Sequence, residues 1–185
     1  MPIIIEEYQP IWRERFQQLY STIWPSVKDI SISMEHVGST SVPGLAAKPI
    51  IDVDIIISAT DLLPEIISRL AKLGYEHRGD QGVPLREAFR HQKPDFPHHL
   101  YVCIEGCLSL QNHLLLRDHL RQNLKARTQY GALKKKLAAQ FPNDINSYVE
   151  GKTDFVLHIL LQYGIDEKDL SAVQKVNKNP NKSRA

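Results

Sequence analysis

The chain has 185 residues, 42% hydrophobic and 24% charged, the usage of an ordinary globular protein with room for one core, which excludes a disordered, collagen-like or disulfide-framework polypeptide. Its net charge of +2 is owed to Lys175, Lys178, Lys182 and Arg184, without which 19 basic groups face 21 acidic ones. The body of the chain therefore has no basic footprint for nucleic acid, and nucleic acid is not expected among its partners.

In chain order, Pro10 to Trp24 carries apolar residues at helical spacing, with Pro25 predicted to end the helix. Ile30 to Val37 alternates apolar and polar residues and predicts a half-buried strand stopping at Gly38. Pro49 to Ile57 is rich in β-branched residues and predicts a largely buried strand, in which Asp52 and Asp54 are out of place. Leu62 to Leu73 predicts a helix closed by Gly74. Two short strands follow at Glu87–His91 and His99–Ile104, joined by a turn-rich segment. Beyond Gly106, helices are predicted at Leu108–Gln122, Leu124–Gln140 and Ile145–Tyr163, with Gly164 as a stop. The expectation is one α+β (α/β) domain over residues 1–172, with an α/β part at about 1–106 and a helical part at about 107–172. Residues 173–185 read as a basic, flexible tail.

Cys103 and Cys107 have neither the number nor the spacing of a zinc half-site and read as buried small hydrophobes. No stretch approaches the roughly 20 apolar residues of a membrane span, and the N-terminus has no signal-peptide pattern, so a cytoplasmic protein without membrane partners is expected.

The chemistry concentrates between His36 and Ile55. A strand ending in Gly38-Ser39-Thr40-Ser41 offers backbone N–H groups and hydroxyls that can cradle phosphate oxygens. The next strand places Asp52 and Asp54 on one face, about 7 Å apart along the backbone. Two facing carboxylates repel unless a cation bridges them, and Mg2+ favours one or two carboxylates together with substrate phosphates. A phosphate cradle beside metal carboxylates points to phosphoryl or nucleotidyl chemistry. His36 either touches substrate or holds the loop, and Lys48 either neutralises a phosphate or pairs with Asp52. Arg117, Arg121 and Lys125, at four-residue steps, form a basic helical stripe that meets either a triphosphate or solvent. His113, His119 and His158 read as packing or surface residues.

A Gly-Ser turn followed by Asp-Val-Asp is the pattern of the nucleotidyltransferase superfamily. More narrowly, His36-Val37-Gly38-Ser39-Thr40-Ser41-Val42-Pro43-Gly44-Leu45-Ala46-Ala47-Lys48-Pro49-Ile50-Ile51-Asp52 resembles the GrpB (UPF0157-like) family. The resemblance runs from about residue 8 to 162, through Tyr8-Gln9-Pro10-Ile11-Trp12, Arg117-Asp118-His119-Leu120-Arg121, Tyr130 with Leu133-Lys134, and Tyr148, Lys152 and Phe155. It implies a nucleotidyltransferase-like fold, a short mixed β-sheet flanked by helices with a helical C-terminal half. It does not by itself imply a reaction; the leading reading, drawn from the phosphate turn and the paired aspartates, is binding of a nucleoside triphosphate with Mg2+ (or Mn2+) and transfer of a nucleotidyl group to a small-molecule acceptor. The alternative is a non-catalytic nucleotide- or coenzyme-A-related module, since the family resembles a domain fused to dephospho-CoA kinase. Under the first reading Asp52 and Asp54 hold metal, and His36, Gly38, Ser39, Thr40, Lys48, Arg117, Lys134 and Lys152 hold phosphates. A third carboxylate is expected in this superfamily on the strand at residues 99–103, but His99 and Tyr101 stand there. His99 is left as base or softer metal ligand.

Overall fold

A computed structural model describes residues 2–178. Its sheet has five strands, β1 (Ser33–Val37), β2 (Ile51–Ile57), β3 (Tyr75–His77), β4 (Arg86–His91) and β5 (His98–Ile104). Their order is β1-β2-β5-β4-β3, with only β2 and β5 parallel. In β2 the period of two divides the strand cleanly. Ile51, Val53, Ile55 and Ile57 are fully buried in a core with Trp12, Ile23 and Val27 of α1 (Ile11–Val27) and Ile66 and Leu70 of α2 (Leu63–Lys72). Each such aliphatic side chain contributes roughly 1.5–3 kcal/mol on burial. The alternate residues Asp52 and Asp54 face the other side, towards the helical half.

That half comprises α3 (Leu108–Gln122), α4 (Leu124–Gln140), α5 (Ile145–Glu150), α6 (Thr153–Gln162) and α7 (Glu167–Lys178). It has its own core, where Leu120, Tyr130, Val156, Ile159 and Leu160 close around Val42 and Leu45 from the β1–β2 connection. Asn123 caps α4 and Asp144 caps α5, each accepting from a backbone N–H of the following turn. The nucleotidyltransferase-like arrangement of a mixed sheet with helices is as expected.

Three local expectations give way, and one strand was not foreseen. Pro25 lies inside α1, because a proline in the last turn forfeits one hydrogen bond while Ile23 and Val27 gain full burial. Strand β3, three residues long, carries too little pattern to be read from sequence. The helix expected at 145–163 breaks at Gly151, where a Cβ would lie 2.4 Å from Leu137 Cδ2, so only glycine permits this approach to α4. Finally, α7 runs through the start of the expected tail with Val173 buried in the helical core, and Lys182 and Arg184 lie outside the described residues. No helix among the described residues is long and apolar enough to cross a membrane.

Candidate functional site

Strand β1 ends at Gly38, whose φ of +68° favours glycine, and the chain enters a short 3-10 turn over Ser39–Ser41. Hydroxyl groups fix this turn. Ser41 Oγ donates to Gly38 O at 2.6 Å, and Thr40 Oγ1 donates to Ile50 O at 3.0 Å. With its one proton committed, Thr40 Oγ1 accepts from His36 Nε2 at 3.1 Å, and the His36 ring stacks on Phe16 at 4.7 Å. Burial, only partly opposed by Asp52 and reinforced by Arg121 and Arg117, lowers His36 to about 4, so it is a neutral brace for the loop.

The turn opens onto a cavity of about 270 Å3 between sheet and helices. Of the residues expected from sequence, Gly38, Ser39, Thr40, Lys48, Asp52, His99, Lys134 and Lys152 line it. Register explains the floor: β2 and β5 pair in parallel with Asp52 opposite His99 and Asp54 opposite Tyr101. His99 Nδ1 and Asp52 Oδ1 are 2.8 Å apart. Burial works against ionisation of Asp52, yet the hydrogen bond and charge of His99, with His113 and Lys48, hold it below the ordinary carboxylate value. Gly38 approaches so closely that a Cβ there would fall 2.2 Å from Asp52 Oδ2.

The helices supply the cations. Lys134 of α4 is 2% exposed, and its Nζ has no hydrogen-bond partner. It lies 4.9 Å from the Tyr130 ring centroid. Burial first, then repulsion from Lys152, with Asp52 opposing, lowers it to about 6. The break at Gly151 puts Lys152 at the start of α6, with Nζ 4.6 Å from the Tyr148 ring centroid, and Lys48 Nζ approaches the same ring at 5.8 Å. Lysines 48, 134 and 152 thus converge opposite Asp52, the electrostatics of an anion site.

Three expected residues do not line the cavity: Asp54, whose side chain has no exposed surface, Arg117 and His36. Arg117 binds Glu35 Oε2 at 2.8 Å, Asp118 Oδ1 at 2.7 Å and His36 O at 3.2 Å, so its guanidinium ties α3 to β1. His36 sits behind the turn. Of the stripe's other members, Arg121 donates to Ser41 O and Lys125 is exposed.

Three residues that the sequence reading did not assign to the site line it. His113, expected as packing or surface, binds Asp54 Oδ2 through Nδ1 at 2.7 Å. It lies four residues before Arg117, so the helical ladder of 117, 121 and 125 extends back to it. Tyr148 stands between Lys48 and Lys152. Arg86, at the start of β4, is 9% exposed, lies 4.3 Å from the Tyr101 ring centroid, and forms no ion pair among the described residues. Nothing in the local sequence marks it.

The donor set suits a hard cation in part. Asp54 has no exposed side-chain surface, and its Oδ1 has no hydrogen-bond partner, an acceptor left to be satisfied. Asp52 is partly exposed at the cavity. Among the described residues no group of three or more His, Cys, Asp or Glu is arranged to hold a metal. Of the two carboxylates only Asp52 lines the cavity, so the residues fit an ion held by one carboxylate and a ligand's phosphates rather than a closed protein cage.

The GrpB family model, described as GrpB protein, matches residues 2–162. The chain is 33% identical over 153 residues to the UPF0157 protein YqkA of Bacillus subtilis, covering 80% of this chain but only 43% of that protein. It is 34% identical over 166 residues to a UPF0157 protein of Streptomyces coelicolor, covering 89% and 86%. At 24% identity, 82% of the chain matches 43% of a dephospho-CoA kinase of Mycolicibacterium paratuberculosis. Among solved structures, the conserved protein GrpB of Enterococcus faecalis superposes with a TM-score of 0.76 at 33% identity, covering 93% of this chain and 98% of that one. The Cid1 poly(U) polymerase bound to MgATP shares the fold at a TM-score of 0.57 and 17% identity, covering 87% of this chain and 52% of that one.

Proposed function

The chain belongs to the GrpB family, and from the geometry of its site we propose that it binds a nucleoside triphosphate with Mg2+ (or Mn2+) in the cavity between sheet and helices and transfers a nucleotidyl group to a small-molecule acceptor in the cytoplasm. The observation that carries this reading is Lys134, a buried amine without a partner that faces the Gly38–Thr40 turn and Asp52 across one cavity. A buried amine without a partner is costly whether it stays neutral or takes up a proton, and a phosphate anion is the complement that removes the cost.

In this reading the phosphates rest on the Gly38-Ser39-Thr40 turn while Lys48, Lys134 and Lys152 pair with their oxygens. Asp52, with Asp54 two residues on along the same strand, would hold the metal, which would supply neutralisation of phosphate charge and activation of the α-phosphate. His99, fixed through Nδ1 by Asp52, presents Nε2 to take the proton of an acceptor hydroxyl. Arg117 and His36 act from behind by holding the turn.

Calorimetric titration with ATP, GTP, CTP and UTP, with and without Mg2+, tests the proposal. Micromolar, Mg2+-dependent binding of at least one, lost in Asp52→Asn, is expected. Equal binding by that variant removes the site assignment.

One observation favours a second reading, a nucleotide- or coenzyme-A-related binding module without turnover. The positions of β5 opposite Asp52 and Asp54 hold His99 and Tyr101 where an active superfamily member has a carboxylate. Steady Mg2+-dependent pyrophosphate release excludes this module, and tight binding without release supports it.

A further inference from the structure

A second cavity, of about 350 Å3, lies between α3, α7 and the 83–85 segment, within the size range of small-molecule sites. It adjoins the first, and Arg86, His113 and Asn177 line both. Its walls are more apolar, with Val83, Leu85, Leu108 and Val173 among them.

Two independent features mark it as built for a ligand. Arg86 is a nine-tenths-buried cation with no carboxylate partner among the described residues, and its Nε is without a hydrogen bond. Asn112 Oδ1, on α3, is a buried acceptor without a donor. Native proteins leave few polar groups in this condition, and each calls for a partner.

We infer that this second cavity binds a small organic anion with an apolar body and a hydroxyl or amine donor, its anionic group on Arg86 at the junction and its donor on Asn112. The apolar body lies against Leu108 and Val173. Occupancy would place its anionic group, not its donor, at the junction with the first cavity, so the molecule is a second ligand beside the nucleotide site and its binding does not rest on the nucleotidyl-transfer reading.

The test is an amide chemical-shift titration of the full chain with 4-hydroxybenzoate, which carries a carboxylate, an apolar ring and a hydroxyl, beside benzyl alcohol, which lacks the anion. Expected are saturable millimolar shifts at Ser109, Asn112 and Val173, with benzyl alcohol weaker by at least about tenfold. Ala172→Trp, an exposed position on the wall of the cavity, blocks these shifts while leaving ATP binding unchanged, and Arg86→Gln weakens them. Absent shifts, shifts that persist in Ala172→Trp, or equal binding of benzyl alcohol overturn the inference. If ATP binds and 4-hydroxybenzoate does not, the inference falls and the nucleotide reading stands. Shifts at Ser109 and Asn112 without binding of any nucleotide uphold the cavity as a site independent of the nucleotide reading.

Discussion

His113 Nδ1 lies 2.7 Å from Oδ2 of Asp54, a carboxylate with no exposed side-chain surface, joining α3 to β2 across 59 residues of sequence. Burial disfavours the imidazolium, but the charge and hydrogen bond of Asp54 outweigh it, and His113 is raised above its ordinary 6.5.

Removing this partner strands a buried carboxylate. His113→Leu is expected to cost about 3–5 kcal/mol in urea denaturation, and Asp54→Asn in the same chain is expected to restore much of it. A folded-state value raised above the unfolded one favours the protonated folded form. The contribution is therefore complete below pH 6.5, the unfolded value, and fades as pH rises through the folded value. Equal stability differences between wild type and variant at pH 6 and pH 9 contradict this.

Lys134 sets stability against function. Lys134→Met replaces an unpartnered buried amine by a side chain of similar shape, and a gain of about 1–3 kcal/mol, seen as a higher Tm, is expected together with loss of triphosphate binding. The wild type, near neutral at this lysine above about pH 6, takes up a proton when a phosphate arrives. Calorimetry at pH 7.5 in buffers of different ionisation enthalpy reads that proton, and its absence removes Lys134 from the binding site.

Gly38→Ala introduces a Cβ 2.2 Å from Asp52 Oδ2 at a φ of +68°. The positive-φ extended backbone, ψ −172°, alone costs alanine roughly 1–3 kcal/mol, and the displaced carboxylate is expected to abolish Mg2+-dependent nucleotide binding as completely as Asp52→Asn does. A variant that binds normally shows that Asp52 is not held by this contact.

Arg117→Ala separates bracing from binding. Loss of the ties to Glu35, Asp118 and the His36 carbonyl is expected to lower stability by about 2 kcal/mol, because the guanidinium is largely buried. Triphosphate affinity is expected to fall much less than in Lys134→Met. The reverse order of effects returns Arg117 to the phosphate-binding group.

Much of the floor of the site was legible. Alternation in β2 and β5 placed Asp52, Asp54, His99 and Tyr101 on one face before any pairing was known, and parallel register brought them together in that order. Helices α3 and α4 carried enough period to be bounded to the residue. The walls were less legible. Arg86 and His113 take their meaning from partners, or from the lack of one, across the fold, and a histidine on a helix looks the same whether it meets solvent or Asp54. The break at Gly151 that positions Lys152 depends on Leu137 of another helix, a packing constraint with no local signature.

Lys134 Nζ, Arg86 Nε and Asp54 Oδ1, all buried and unsatisfied, lie in or against the same cleft. Ligands that satisfy them bind the folded chain alone and so shift the folding equilibrium by mass action. In a cell, where transiently unfolded chains are degraded, the lifetime of this protein is expected to lengthen as its ligands become abundant. Its copy number would then record metabolite supply with no change in transcription.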